Sequence, residues 1–107
     1  MNTVSVKNLS VDDLKELTNL LNESSFQEDI NIIESKGFGG FVECIIFLGE
    51  VFTTLTVINE FITIVTGWTS KRPNVEIEVN GIKVLVKNEQ QAAHLIKLLQ
   101  ENPSHES

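Results

Sequence analysis

The longest apolar stretch of the chain, residues 41–68, dominates its pattern of hydrophobic and polar positions. Apolar residues recur there at helical spacing, at positions 41, 45, 48, 52, 55, 58, 62 and 65, and a second apolar row runs beside them. Two rows make a wide stripe, so the spacing predicts one long helix, buried on most of its circumference, which would either overhang its own domain or kink near Gly49. The many Val, Ile, Thr and Phe residues leave a β-hairpin as the alternative.

Three shorter segments precede this stretch. Residues 3–7 alternate between apolar and polar types and predict a strand. Leucines at helical spacing predict an amphipathic helix over residues 11–22, with Ser10 as its N-cap. Residues 29–34 predict a second strand, and a glycine-rich loop over residues 35–40 then leads into the long helix.

The clearest local signal lies after the long stretch. Residues 75–79 and 82–87 alternate between apolar and polar types, apart from Leu85, and are joined by Asn80-Gly81, a dipeptide typical of two-residue hairpins. A last amphipathic helix is predicted over residues 89–100, and the polar residues 102–107 are typical of a disordered tail.

These segments together predict an α+β fold. The order is β-α-β-long α-β-β-α, with a mixed four-stranded sheet packed against helices and a C-terminal β-hairpin. The length suits a single domain, which we place at residues 1–101.

The predicted long helix has a consequence for assembly. It would measure about 42 Å, whereas a compact chain of this size has a radius of gyration of about 13 Å. The helix would therefore overhang its own domain, and the simplest cover for its apolar surface is a second copy in a symmetric dimer. The alternative is that flanking strands and helices cover it. The residues expected at the interface between copies are Phe41, Phe47, Val51, Ile58, Phe61 and Trp68.

Charge and termini limit the classes of partner. The formal net charge is −7, with 15 acidic against 8 basic residues, which argues against nonspecific binding to nucleic acid. Glu43, Glu50 and Glu60 interrupt the apolar stretch, and such charges are costly inside a bilayer, so we do not expect a membrane span. The first residues do not resemble a secretory signal, and we expect a cytoplasmic location.

Residues that could carry chemistry are few. Cys44 is the one cysteine, which excludes an intrachain disulfide and a cysteine-rich zinc site, and its apolar surroundings predict a buried core residue. His94 has no second histidine or cysteine at ligand spacing. The glycines at 37–40 match neither the P-loop nor the dinucleotide pattern. We therefore predict no catalytic residue, no cofactor-binding residue and no metal site.

The layout from Gly39 to Leu99 resembles a family of small bacterial proteins, the effector-associated constant components. The features that carry the resemblance are a glycine-rich lead (Gly37, Gly39, Gly40) into a long apolar helix, Trp68 and Arg72 at its end, a hairpin over residues 75–86, and a closing helix with Leu95 and Leu99. The resemblance implies a noncatalytic subunit that assembles with an effector in a conflict or antiphage system. It assigns no functional residue.

The sequence therefore predicts a noncatalytic interaction module that self-associates through helix 41–68. It would serve as an adaptor subunit of a bacterial defence system, with an effector protein as a further partner. Two alternatives stay open. One is a small anionic-ligand-binding protein or enzyme that uses the glycine-rich loop 37–40 and the helix N-terminus. The other is a membrane-active effector that exposes helix 41–68.

Overall fold

The computed structural model describes residues 2–37, 39–84 and 97. Among these residues, five strands and two α-helices are formed. They are β1 (Asn2–Leu9), α1 (Val11–Asn22), β2 (Ile30–Lys36), β3 (Val42–Leu48), α2 (Leu55–Thr69), β4 (Glu76–Val79) and β5 (Ile82–Val84). Short 3₁₀ turns precede β2 and α2, at Gln27–Asp29 and Glu50–Thr53. The predicted α+β class is confirmed.

The strands form one sheet in the order β2-β3-β1-β4-β5, and each neighbouring pair is antiparallel. The predicted mixed four-stranded sheet is therefore wrong in both strand number and direction. The additional strand is β3, which lies within the stretch that was assigned to the long helix.

The connections give the sheet a recognisable topology. The unit β1-α1-β2 spans β3, and the unit β3-α2-β4 spans β1, so two split βαβ units interlock. This is the ferredoxin-like arrangement, here extended by β5 beside β4. Buried residues of α1, α2 and alternate strand positions belong to one hydrophobic core, so the helices cover a single face of the sheet.

The prediction of one helix over residues 41–68 is wrong. The stretch divides at Gly49 into β3, a 3₁₀ turn and α2, so neither a continuous helix nor a β-hairpin within the stretch is formed. In β3, Cys44, Ile46 and Leu48 are buried beneath the helices, while the apolar Ile45 and Phe47 lie on the opposite face. Apolar residues on both faces remove the alternation that identifies a half-buried strand.

Gly49 is required where β3 ends because the backbone of Asp29, the residue just before β2, lies close to it. Its N–H donates to the carbonyl oxygen of Asp29 at 2.8 Å. A Cβ at this position would lie 2.7 Å from that same oxygen. This contact fixes the end of β3 against the start of β2.

Three phenylalanines from separate segments form the centre of the core. Phe26 follows α1, Phe52 lies in the 3₁₀ turn and Phe61 lies in α2. Their ring centroids are 5.2, 5.5 and 5.9 Å apart, with edge-to-face geometry. Aromatic pairs prefer this arrangement, so the cluster stabilises the packing of both helical segments.

Two local predictions are confirmed. Helix α1 has the predicted bounds, and the Ser10 hydroxyl accepts the Asp13 N–H at 3.0 Å as an N-cap. Asn80 and Gly81 have φ values of 52° and 84° and form the turn between β4 and β5, as an Asn-Gly hairpin requires. The predicted strand residues 85–87 and the tail 102–107 lie outside the described residues, as does the predicted helix 89–100 apart from the helical Lys97.

Two glycine substitutions test the division of residues 41–68. Gly49→Ala should destabilise the protein by about 1–3 kcal/mol, because the new methyl group collides with the Asp29 carbonyl. Gly67→Ala should stabilise it by about 0.5–1 kcal/mol, because Gly67 is an exposed residue within α2 with open space around it. Denaturant unfolding measures both. A continuous helix requires both substitutions to be stabilising, so a stabilising Gly49→Ala would contradict the fold.

Candidate interaction surface

The six residues predicted for the interface do not share a surface. Ile58, Phe61 and Trp68 are buried within the chain's own core. Phe41 precedes β3 and is 49% exposed, while Phe47 and Val51 are partly exposed. The three buried residues cannot contact a partner in the folded chain, and a continuous helical surface does not exist because the stretch is divided.

The face of the sheet opposite the helices, here called the open face, is uncovered by any described residue. Antiparallel register places opposed residues on the same side. Ile33 lies opposite Ile45, and Asn31 lies opposite Phe47. On the other side of β3, Ser5 lies opposite Ile45. The open face therefore carries apolar side chains at its β2 and β3 end.

Ile33, Ile45 and Phe47 form what we call the open-face patch. Ile33 is 50% exposed, Ile45 is 36% exposed and Phe47 is partly exposed. The other half of the face is charged, because Lys7 pairs with Glu78 at 3.3 Å and Lys83 with Glu76 at 3.7 Å. Apolar and charged residues are thus separated across the sheet, and among the described residues of the open face the apolar contact surface lies at the β2 end.

Strand β2 is an edge of the sheet among the described residues, none of which pairs with the outer side of its backbone. Gly37 N–H donates to the Phe41 carbonyl, and Gly49 N–H donates to the Asp29 carbonyl. Residues 37 and 41, like residues 29 and 49, are therefore opposed as hydrogen-bonded pairs of the β2–β3 ladder. Hydrogen-bonded and non-hydrogen-bonded pairs alternate in an antiparallel ladder. Residues 31, 33 and 35 therefore bond to β3, while residues 30, 32, 34 and 36 direct their N–H and C=O groups away from the sheet.

A groove of about 540 Å³ adjoins this edge. It is lined by the acidic Glu28 and Asp29 and by the apolar Ile33 and Phe47. An apolar patch, a free strand edge and an acidic border therefore meet at one place. Sequence reasoning missed Ile33 and Ile45, although Ile33 breaks the alternation of residues 30–34 by placing an apolar side chain on the polar side of the strand.

The glycine-rich loop does not have the geometry expected of an anion site. Gly39 and Gly40 have φ values of 63° and 85° and lie in the turn between β2 and β3. No helix begins after them, so the predicted combination of this loop with a helix N-terminus is wrong. Among the described residues, no helix is long and apolar enough to cross a membrane.

Arg72 joins the two helices. Its Nε donates to Asp13 at 2.8 Å, its Nη2 donates to Glu16, and its Nη1 donates to the Trp68 carbonyl at 2.7 Å. The guanidinium also lies 4.8 Å from the centre of the Trp68 ring, at cation–π distance. The hydrogen bond from Arg72 lowers the pKa of Asp13. This cation is held by two carboxylates, so its role here is to cap α2 and to anchor α1.

Cys44 is a core residue, as predicted, with 1% of its surface exposed. Burial, with a smaller effect from Glu34 and Glu43, raises the pKa of its thiol to about 12. A neutral, buried thiol is a poor nucleophile. In the described part of the chain, no group of three or more His, Cys, Asp or Glu side chains could hold a metal ion.

Searches against protein-family models, curated proteins and solved structures found no match. The chemistry of the described surface is therefore the basis for a proposal.

Thiol labelling tests the burial of Cys44. At pH 8.5 the native chain should react with an aromatic disulfide reagent at least about 100-fold more slowly than the unfolded chain, because the buried thiol is protonated. In Ser35→Cys, which adds a thiol at an exposed position, one of the two thiols should react at once. Equal rates for Cys44 in the native and unfolded chains would contradict its assignment to the core.

The Arg72–Asp13 contact predicts a pH dependence. A lowered pKa in the folded state stabilises the fold above the ordinary value of 3.8, and this contribution is lost as the pH falls through the lowered pKa. At pH 7, Asp13→Asn should cost about 1 kcal/mol, since the pair is partly exposed. Asp12→Asn is the matched control in the same helical turn. Denaturant unfolding at pH 7 and at pH 2.5 should show a smaller difference between the variants at pH 2.5 than at pH 7. A difference of equal size at the two pH values would contradict the role of the charge.

Proposed function

We propose that this protein is a noncatalytic protein-interaction module that assembles through the open-face patch and the β2 edge. In line with the resemblance described above, it would serve as an adaptor subunit of a bacterial defence or conflict system, with an effector as a further partner. A cytoplasmic location belongs to the same proposal, since the buried free thiol of Cys44 suits a reducing compartment.

The observation that carries the proposal is the coincidence of an unpaired strand edge with exposed apolar side chains. An exposed strand offers backbone donors and acceptors to an added strand, and neighbouring side chains supply specificity. Long exposed edges are a hazard that proteins usually protect with proline, bulges or inward-pointing charges. Strand β2 contains no proline, its charged residues Glu34 and Lys36 lie towards its C-terminal end, and Ile33 lies on the open face of this edge.

The chemistry of the chain supports a binding role over a catalytic one. The buried thiol is unreactive, and the best-connected ionic cluster, around Arg72, links the two helices. The acidic net charge also disfavours a nucleic-acid partner on the open face. Self-association, first expected of helix 41–68, is reassigned here to β2 and β3.

A charge placed in the patch tests this proposal. Light scattering across a concentration series should show assembly of the unmodified chain. Ile45→Glu should weaken the assembly at least about tenfold, because the new carboxylate loses water on contact with an apolar partner. Leu55→Glu is the matched control. Leu55 is 50% exposed, against 36% for Ile45, but it begins α2, where a negative charge suits the helix dipole.

Circular dichroism should show that both variants remain folded. A chain that is monomeric at all concentrations would overturn self-association. Equal weakening by Leu55→Glu would overturn the assignment of the patch.

A further inference from the structure

Strand β2 has the features of a surface that pairs with itself. We propose that two copies of the chain place β2 against β2 in antiparallel orientation, with Ile33 on the two-fold axis. The two five-stranded sheets would then form one continuous sheet. This inference rests on the proposed function and adds the partner, a second copy, and the register of the contact.

The direction of the free backbone groups restricts the register. Residues 30, 32, 34 and 36 point their N–H and C=O groups outward, as derived above from the bonds of Gly37 and Gly49. In a new ladder, each of them must therefore lie opposite another of the same set. A shift of one residue would place inward-facing groups opposite outward-facing ones, so such registers are excluded.

Among the allowed registers, the one centred on Ile33 uses the whole strand. It places residue 30 of one copy opposite residue 36 of the other, and residue 32 opposite residue 34. The register centred on Glu34 puts two carboxylates face to face, which is unfavourable. The registers centred on Ile32 and Ser35 shorten the overlap, because β2 ends at Ile30 and at Lys36.

The side chains on the open face fit the same register. Ile33 would lie opposite its own copy in a non-hydrogen-bonded pair, where side chains approach most closely. Asn31 would lie opposite Ser35, so an amide meets a hydroxyl. Because Ile45 adjoins Ile33 in the sheet, the two open-face patches would become one apolar surface across the axis.

Charge favours antiparallel over parallel pairing. Each β2 begins next to the exposed acids Glu28 and Asp29 and ends at the exposed Lys36. Lys36 forms no ion pair with residues 2–37 or 39–84. Antiparallel pairing brings each Lys36 to the acidic start of the other strand, whereas parallel pairing would bring like charges together.

Disulfide trapping tests the register directly. Ile33→Cys, in the full chain and with Cys44 retained, should form a covalent dimer on treatment with diamide, which accepts the two electrons and two protons of the paired thiols. Symmetry-related residues at the axis have Cβ atoms about 4.5–5.5 Å apart, close enough for a disulfide after small movements. A nonreducing gel time course measures the dimer.

Ser35→Cys is the matched control on the same face of the same strand. In the proposed register its two copies lie four residues apart along the strands, roughly 14 Å, so the control should cross-link at least about tenfold more slowly. The unmodified chain should give no covalent dimer, because Cys44 is buried.

A second variant tests the backbone contact. Glu34→Pro removes an outward-pointing N–H, and proline is tolerated in edge strands where the N–H faces solvent. It should abolish assembly in light scattering and leave the circular dichroism spectrum unchanged.

The outcomes separate the two proposals. If the unmodified chain assembles but Ile33→Cys cross-links no faster than Ser35→Cys, the proposed β2 register is wrong and the proposed interaction module is retained. If the unmodified chain is monomeric and neither variant cross-links, both self-association and the proposed register are wrong.

Discussion

The pairing of β3 with both of its neighbours is the interaction on which the rest of the structure depends. β3 lies between β2 and β1, and its buried residues Cys44, Ile46 and Leu48 face the helices. Both split βαβ units need this strand. The unit β1-α1-β2 has β3 between its two strands, and the unit β3-α2-β4 begins with it. The Gly49–Asp29 contact then ends the strand and turns the chain towards α2. Without β3 in the sheet, neither helix would have a continuous surface to cover.

The features that could be predicted from the sequence are those set by near neighbours along the chain. The Ser10 cap depends on a residue three positions away, and the Asn80-Gly81 turn depends on its own backbone angles. The identity of β3 depends instead on partners that lie far from it in sequence. Apolar residues on both of its faces hide the two-residue period, and the same residues happen to fit a helical spacing. Local periodicity cannot distinguish these cases, because the deciding term is hydrogen bonding to β1 and β2.

The error in β3 also explains why the six residues predicted for the interface do not share a surface. In a single helix over residues 41–68, Phe47 and Phe61 would belong to the same element. In the structure Phe47 lies in β3 and Phe61 in α2, so the two side chains have different surroundings. Phe61 joins the aromatic cluster with Phe26 and Phe52, and Phe47 lies on the open face. The expectation that apolar surface must be covered was sound as physical reasoning. It combined buried and exposed residues in one set, because covered and uncovered positions depend on the sheet register.

The fold itself does not assign a function, since ferredoxin-like topology supports many. It does determine which surfaces the described residues leave available, because two helices cover one face of the sheet and no described residue covers the other face or pairs with the outer side of β2. The charged pairs at the β4 and β5 end keep that half of the open face compatible with water. At the β2 end, burying Ile33 against its own copy would remove apolar area from water and satisfy the outward backbone groups in the same step. Ile33, which breaks the strand's alternation, lies both on the β2 edge and in the open-face patch, and in the proposed dimer it would also contact its own copy.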